Sequence, residues 1–225
     1  TVQYIALTRD RLREPKAIIR DAPSDLRQNN GADYLIITHQ SLMPGVDDLA
    51  NWRRQQGFRV KVIDVQDIYD EFNHGIFNPY AIRDFLAYAY QNWQPPAPTF
   101  VVLVGDANLD YRKGMNFVPS ILVQTPKYGA AASDHEFTTF VGDDAFPDML
   151  IGRLPVSNLI DLAIMTNRII QYEKTPEIGP WRKRLLMLGG VGNEFSLQSD
   201  SLIASSSAPP RASAPPPRTR SRPSP

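Results

Sequence analysis

The chain has 225 residues, enough for one sizeable α/β domain or for a domain with a tail, and its 42 % hydrophobic content excludes wholesale disorder. Basic and acidic residues number 24 each, but four arginines (211, 218, 220 and 222) follow the last acid, Asp200; the remaining 20 basic and 24 acidic residues leave no electrostatic footprint for nucleic acid. There is no cysteine, which rules out disulfides, thiolate zinc sites and a cysteine nucleophile in this chain, and no apolar run approaches the ~20 residues of a membrane span.

Residues 1–32 are mixed and polar and read as an approach segment, with YIAL as a short strand and APSDLRQNNG as a loop. The start at Thr1 lacks a charged stretch leading into an apolar one, so no signal peptide is expected there, and a start without Met points to an upstream segment. From Tyr34 the pattern becomes regular. YLIIT (34–38) is a continuous, β-branched apolar run, as in a strand covered on both faces. After Pro44-Gly45, Val46, Leu49 and Ala50 mark a helix that ends at Gly57. FRVKVID (58–64) alternates and reads as the second strand. Asn78 and Pro79 cap and open a helix with Ile82, Phe85, Leu86 and Ala89 on one face. QPPAP breaks it, and FVVLVGD (100–106) is the third strand.

The stretch 107–148 is rich in Asn, Pro, Gly and Asp; a loop this long inside a domain is functional or hides short strands. MLIGR (149–153) is the fourth strand, followed by a helix with Leu162, Met165, Ile169 and Tyr172 on one face, and RLLMLGG (184–190) the fifth. Alternating strands and helices imply a mostly parallel sheet with helices on both faces. A flavodoxin-like domain would accept the same alternation but gives 107–148 no purpose. Residues 205–225 carry seven prolines and four arginines among Ser and Ala, a disordered or polyproline tail. Because the fifth strand runs into this tail with no closing helix, the chain is expected to be a truncated or frame-shifted form of a longer domain.

Sites in open parallel sheets form beyond the carboxyl ends of the strands, where Asp106 lies. Asp143, Asp144 and Asp148 crowd the segment FVGDDAFPDMLIGR (140–153), directly before the fourth strand. A calcium ion, which takes roughly 6–8 oxygen ligands, would remove the repulsion among them. The segment has neither the alternation nor the terminal Glu of an EF-hand loop, and a solvated acidic turn with Asp143 capping the backbone is the alternative. His39, His74 and His135 show no zinc-ligand spacing and no serine lies in a nucleophile elbow, so each histidine reads as a surface or capping residue. LVGDANLDYRKG is neither a dinucleotide fingerprint nor a Walker loop.

The succession YLIITH, WRRQQGFRVKVI, IYDEFNHG, NPYAIRDFLAYAY, FVVLVGDANLD, ASDHEF, VGDDAFPDMLIGRLPV and NRIIQYEK resembles the gingipain-type cysteine peptidases, peptidase family C25, over residues 33–190. The resemblance implies a caspase-like three-layer α/β sandwich with a mostly parallel sheet, here the N-terminal portion of the catalytic domain (33–204). It implies a structural calcium held by Asp106, Asp144 and Asp148 and by the carbonyls of Val141 and Phe146. It implies protein or peptide substrates for the intact protein, and a location at or outside the cell surface. The family nucleophile is a cysteine and its base a histidine in a Gly-His-Gly turn, both downstream of the matched region. The cysteine is absent here, no histidine sits in such a turn, and Glu194 is the sole candidate for an assisting acid. Two readings remain: a peptidase portion inactive by itself, or a non-catalytic, calcium-binding interaction module.

Overall fold

The computed structural model describes residues 22–184 except 29, 112–114 and 128, together with positions 8 and 20. The chain divides into two compact units, Thr1–Pro176 and Glu177–Pro225. In the first unit, strand β1 (Tyr34–Thr38) leads through a 3-10 turn (Met43–Gly45) into helix α1 (Asp47–Gln55). Strand β2 (Val60–Asp64), helix α2 (Val65–Asn73), helix α3 (Pro79–Asn92) and strand β3 (Phe100–Val104) follow. A hairpin of β4 (Ile121–Thr125) and β5 (Gly129–Ser133), a 3-10 turn (His135–Phe137), strand β6 (Leu150–Leu154) and helix α4 (Leu159–Lys174) complete it.

The main sheet has the order β2-β1-β3-β6, every pair parallel, with Tyr34 beside Val60 and Phe100, and Phe100 beside Leu150. All five residues of β1 are buried, which is why its sequence is an unbroken apolar run rather than an alternating one. Successive side chains of a strand point to opposite faces. Leu35, Ile37, Val101 and Leu103 therefore share one core with Ile68, Ile82, Phe85 and Leu86 of α2 and α3. Tyr34, Ile36 and Val104 share the other with Leu49 and Ala50 of α1 and Leu162 of α4. Two helical layers thus enclose one sheet, the three-layer α/β arrangement expected.

Two features depart from the sequence reading, and a third answers it. Helix α2 follows β2 with no linker, so no Gly or Pro announces it; its first turn is closed by the Asp64 carboxylate, which accepts from the Gln66 N–H. The stretch 107–148 does hide strands, the antiparallel pair β4 and β5. On α4 the buried positions are Leu162, Thr166 and Ile170, with Met165 and Ile169 half-buried, while Tyr172 is 58 % exposed. The covered stripe follows the i, i+4, i+8 row against α1, and Tyr172 falls off it.

Residues 24–27, read as part of an approach segment, dock on α2 and α3. The Glu71 carboxylate accepts from the Ser24 hydroxyl and from the Leu26 and Arg27 N–H groups, and Trp93 Nε1 donates to the Leu26 carbonyl. In the second unit a 3-10 turn spans Pro180–Lys183. Beyond Arg184 the expected fifth strand lies outside the described residues, as do Glu194 and the tail.

Candidate functional site

The carboxyl edge of the parallel sheet collects His39, Asp64, Asp106 and the turn after β6. Gly105 makes the turn after β3 possible: it holds φ +140°, and a Cβ there would stand 2.5 Å from Phe117 Cβ. The Asp106 backbone is fixed from both sides, its N–H donating to the Val156 carbonyl (2.8 Å) and its carbonyl accepting from Phe117 N–H (3.0 Å). The side chain is exposed, with Oδ1 accepting from the Ala107 N–H at 3.0 Å.

The acidic segment 140–148 is a turn organised by its own carboxylates. Asp148 Oδ2 accepts from the Phe140 and Val141 N–H groups, both at 2.9 Å, and Asp144 Oδ1 accepts from Phe146 N–H at 2.9 Å. The backbone capping assigned to Asp143 therefore belongs to Asp144 and Asp148, because those two carboxylates reach amides two and seven or eight positions away in the folded turn. Among the described residues no three Asp, Glu or His side chains stand together as a group able to hold a metal ion. The turn precedes the amino end of β6, whereas Asp106 lies beyond the carboxyl end of its parallel neighbour β3, so Asp106 stands at the opposite edge of the sheet and the expected calcium set of Asp106 with Asp144 and Asp148 does not come together. Within the turn, Asp144 and Asp148 each keep one carboxylate oxygen without a protein donor among the described residues, and Val141 and Phe146 are 48 % and 78 % exposed, an oxygen set whose chemistry suits a hard cation.

The histidines do structural work. His39 Nδ1 accepts from the Ser41 N–H (3.1 Å) and lies 2.8 Å from Ser41 Oγ, closing the turn after β1, and its ring meets Phe117 edge-on. Among the described residues no carboxylate hydrogen-bonds the ring, so within them the pair lacks the third member that tunes a serine–histidine nucleophile. His74 is the left-handed cap of α2 at φ 55°, and the His135 carbonyl accepts from Thr138.

One cluster at this edge was not assigned a role from the sequence. The Arg153 guanidinium on β6 makes a forked pair with Asp134, Nε to Oδ2 at 2.7 Å and Nη2 to Oδ1 at 2.8 Å. Its Nη1 donates to the Gly105 and Val118 carbonyls, both at 2.7 Å, and Ser120 Oγ donates to Asp134 Oδ1. Burial works against the charged form of Asp134, but hydrogen bonding and charge from Arg153, with the Ser120 bond, hold its carboxyl below the usual range. This cluster fastens the LVGD turn to the hairpin segment and to β6. The motifs SDHEF and IGR contain both partners, yet nothing in either predicts that they meet across 19 residues.

The profile of peptidase family C25 matches residues 27–213. Gingipain R2 and gingipain R1 of Porphyromonas gingivalis are each 25 % identical to this chain over 155 residues, 69 % of it, covering 18 % and 14 % of their own lengths. The chain thus spans less than a fifth of these curated relatives. Among solved structures, dimeric latent PorU from the same organism superposes with a TM-score of 0.56 at 23 % identity, over 77 % of this chain and 18 % of that one, which shows a shared fold. With the profile matching well over half of its residues, the chain belongs to peptidase family C25, the gingipain-type cysteine peptidases.

Proposed function

We propose that this chain is a portion of a gingipain-like cysteine endopeptidase domain that does not itself turn over peptides. The observation that carries the reading is the absence of cysteine from all 225 residues, in a family whose chemistry requires a thiolate and an imidazole within hydrogen-bond reach. Among the described residues His39, His74 and His135 hold turns and caps, which supports the same conclusion. The intact protein would act on protein or peptide substrates at or outside the cell surface. The purified 225-residue chain is expected to leave casein uncut and to give no burst with a thiol-directed active-site titrant. Thiol-type hydrolysis overturns the reading.

A calcium ion belongs to the same proposal, held within the turn by Asp144 and Asp148 with the Val141 and Phe146 carbonyls; Asp106, at the far edge of the sheet, takes no part. The turn's carboxylate oxygens that accept from no protein donor among the described residues, and the exposure of residues Val141 and Phe146, support it. An ion bound only by the folded state stabilises by about 2.7 kcal/mol at a hundredfold excess over its Kd. Chelation should accordingly lower the melting temperature, and Asp144→Ala or Asp148→Ala should abolish that response while Asp143→Ala leaves it. Equal effects from all three variants would indicate relief of acidic repulsion instead. The missing cysteine equally favours a calcium-binding interaction module without catalysis; a Gly-His-Gly turn and a cysteine in the coding sequence that follows would decide for the peptidase portion, their absence for the module.

A further inference from the structure

We propose that the groove between α1 and α4 is a binding site for short zwitterionic peptides of two or three residues. The two helices follow parallel strands on one face of the sheet and run side by side in the same direction. Near their starts the Gly45 backbone abuts Leu159 and Leu162, and near their ends Arg53 pairs with Glu173. Between them lies a cavity of about 370 Å³, within the range of small-ligand sites.

Charge and hydrogen-bonding capacity are distributed along this groove in a particular order. Its lining runs from Asp48 to Gln55 on α1 and from Asn167 to Lys174 on α4. The backbone rise over seven residues is about 10 Å, so the groove has room for roughly two to three extended residues. Asp48 stands at one end, and Lys174 enters from the other, its ammonium 4.9 Å from the ring centre of Trp52, one helical turn along α1 from Asp48. Neither makes an ion pair among the described residues. The ends therefore match the ammonium and the carboxylate of a free peptide.

Carboxamides from both helices line the length between, and a carboxamide presents the donor and acceptor pair that a peptide group complements. Asn51 spends its oxygen on Arg54 and keeps its amide hydrogens, while Gln55, Asn167 and Gln171 make no side-chain hydrogen bond among the described residues. The wall is set in place beforehand: Trp52 Nε1 donates to Glu173 Oε2 at 2.6 Å, and Arg53 and Gln56 hold that same carboxylate. The groove needs no nucleophile and is independent of whether the chain hydrolyses peptides.

The test is calorimetric titration of the full chain with trialanine, N-acetyl-trialanine amide and maltotriose. Trialanine should bind, capping both ends should weaken binding at least tenfold, and Asp48→Asn or Lys174→Gln should each remove most of the affinity for the free peptide without changing that for the capped one. Both variants sit on exposed helix positions, and unchanged melting curves will verify folding. Absence of binding to trialanine at about 10 mM overturns the proposal. Equal affinity for the capped peptide, or preference for maltotriose as a sugar stacking on Trp52 would, also overturns it.

Discussion

Replacing Arg153 by alanine is expected to cost about 3 kcal/mol of stability, measured by urea unfolding, because it leaves Asp134 charged and part-buried without its partner. Lysine should recover little, since one ammonium cannot reproduce the fork to Asp134 together with the Gly105 and Val118 carbonyls. The depressed carboxyl of Asp134 also fixes a sign: its contribution is complete above the unfolded aspartate value of about 3.9 and fades as pH falls through the lower folded value. The same residue marks what the sequence conceals. Arg153 and Asp134 lie in recognisable family motifs, but their pairing is a product of tertiary structure, and spacing alone assigns neither a partner. Asp144 and Asp148 were legible as a cluster, whereas their use as caps for Phe146, Phe140 and Val141 depends on the turn's folded path.

Helix boundaries divide into those with a chemical signal and those without one. Asn78 and Pro79 announced α3, and the Asn78 side chain does accept from the Tyr80 N–H at 3.0 Å; the start of α4 is closed likewise by Asn158 on Asp161. Helix α2 carried no such mark, because Asp64 serves at once as the last residue of β2 and the cap of the helix. Its other end gives a prediction. His74 occupies the left-handed region at φ 55°, where a side chain with a Cβ is strained by roughly 1–2 kcal/mol and glycine is not. Glycine gains freedom in the unfolded chain, which returns part of that difference. His74→Gly should therefore raise stability by about 0.5 kcal/mol and His74→Val should lower it by more than 1 kcal/mol or so, both read from denaturant midpoints. Equal stability of all three proteins would mean that the cap carries no strain.

At the scale of the molecule, the layered arrangement was legible because burial on both faces writes itself into β1 and β3 as apolar runs, and because helices alternate with them. The contact between α1 and α4 was not, since it joins residues 120 positions apart. Arg53 Nη1 and Nη2 bind Glu173 Oε2 and Oε1 at 2.7 and 2.9 Å, and Trp52 and Gln56 add bonds to the same carboxylate. Hydrogen bonding by Arg53, partly opposed by burial and reinforced by Trp52 and Gln56, lowers the Glu173 pKa to about 2. A depressed acid stabilises the fold fully above its unfolded value, near 4.3 for glutamate, and loses that contribution as pH falls toward 2. Solvent screening at this outer position limits the effect to ~1 kcal/mol. Glu173→Gln should thus be less stable than the parent at pH 7, and the gap should close between pH 4.5 and pH 2, monitored by thermal melts across that range. A difference that persists unchanged at pH 2 would show that the carboxylate's charge has no part in holding the two helices together.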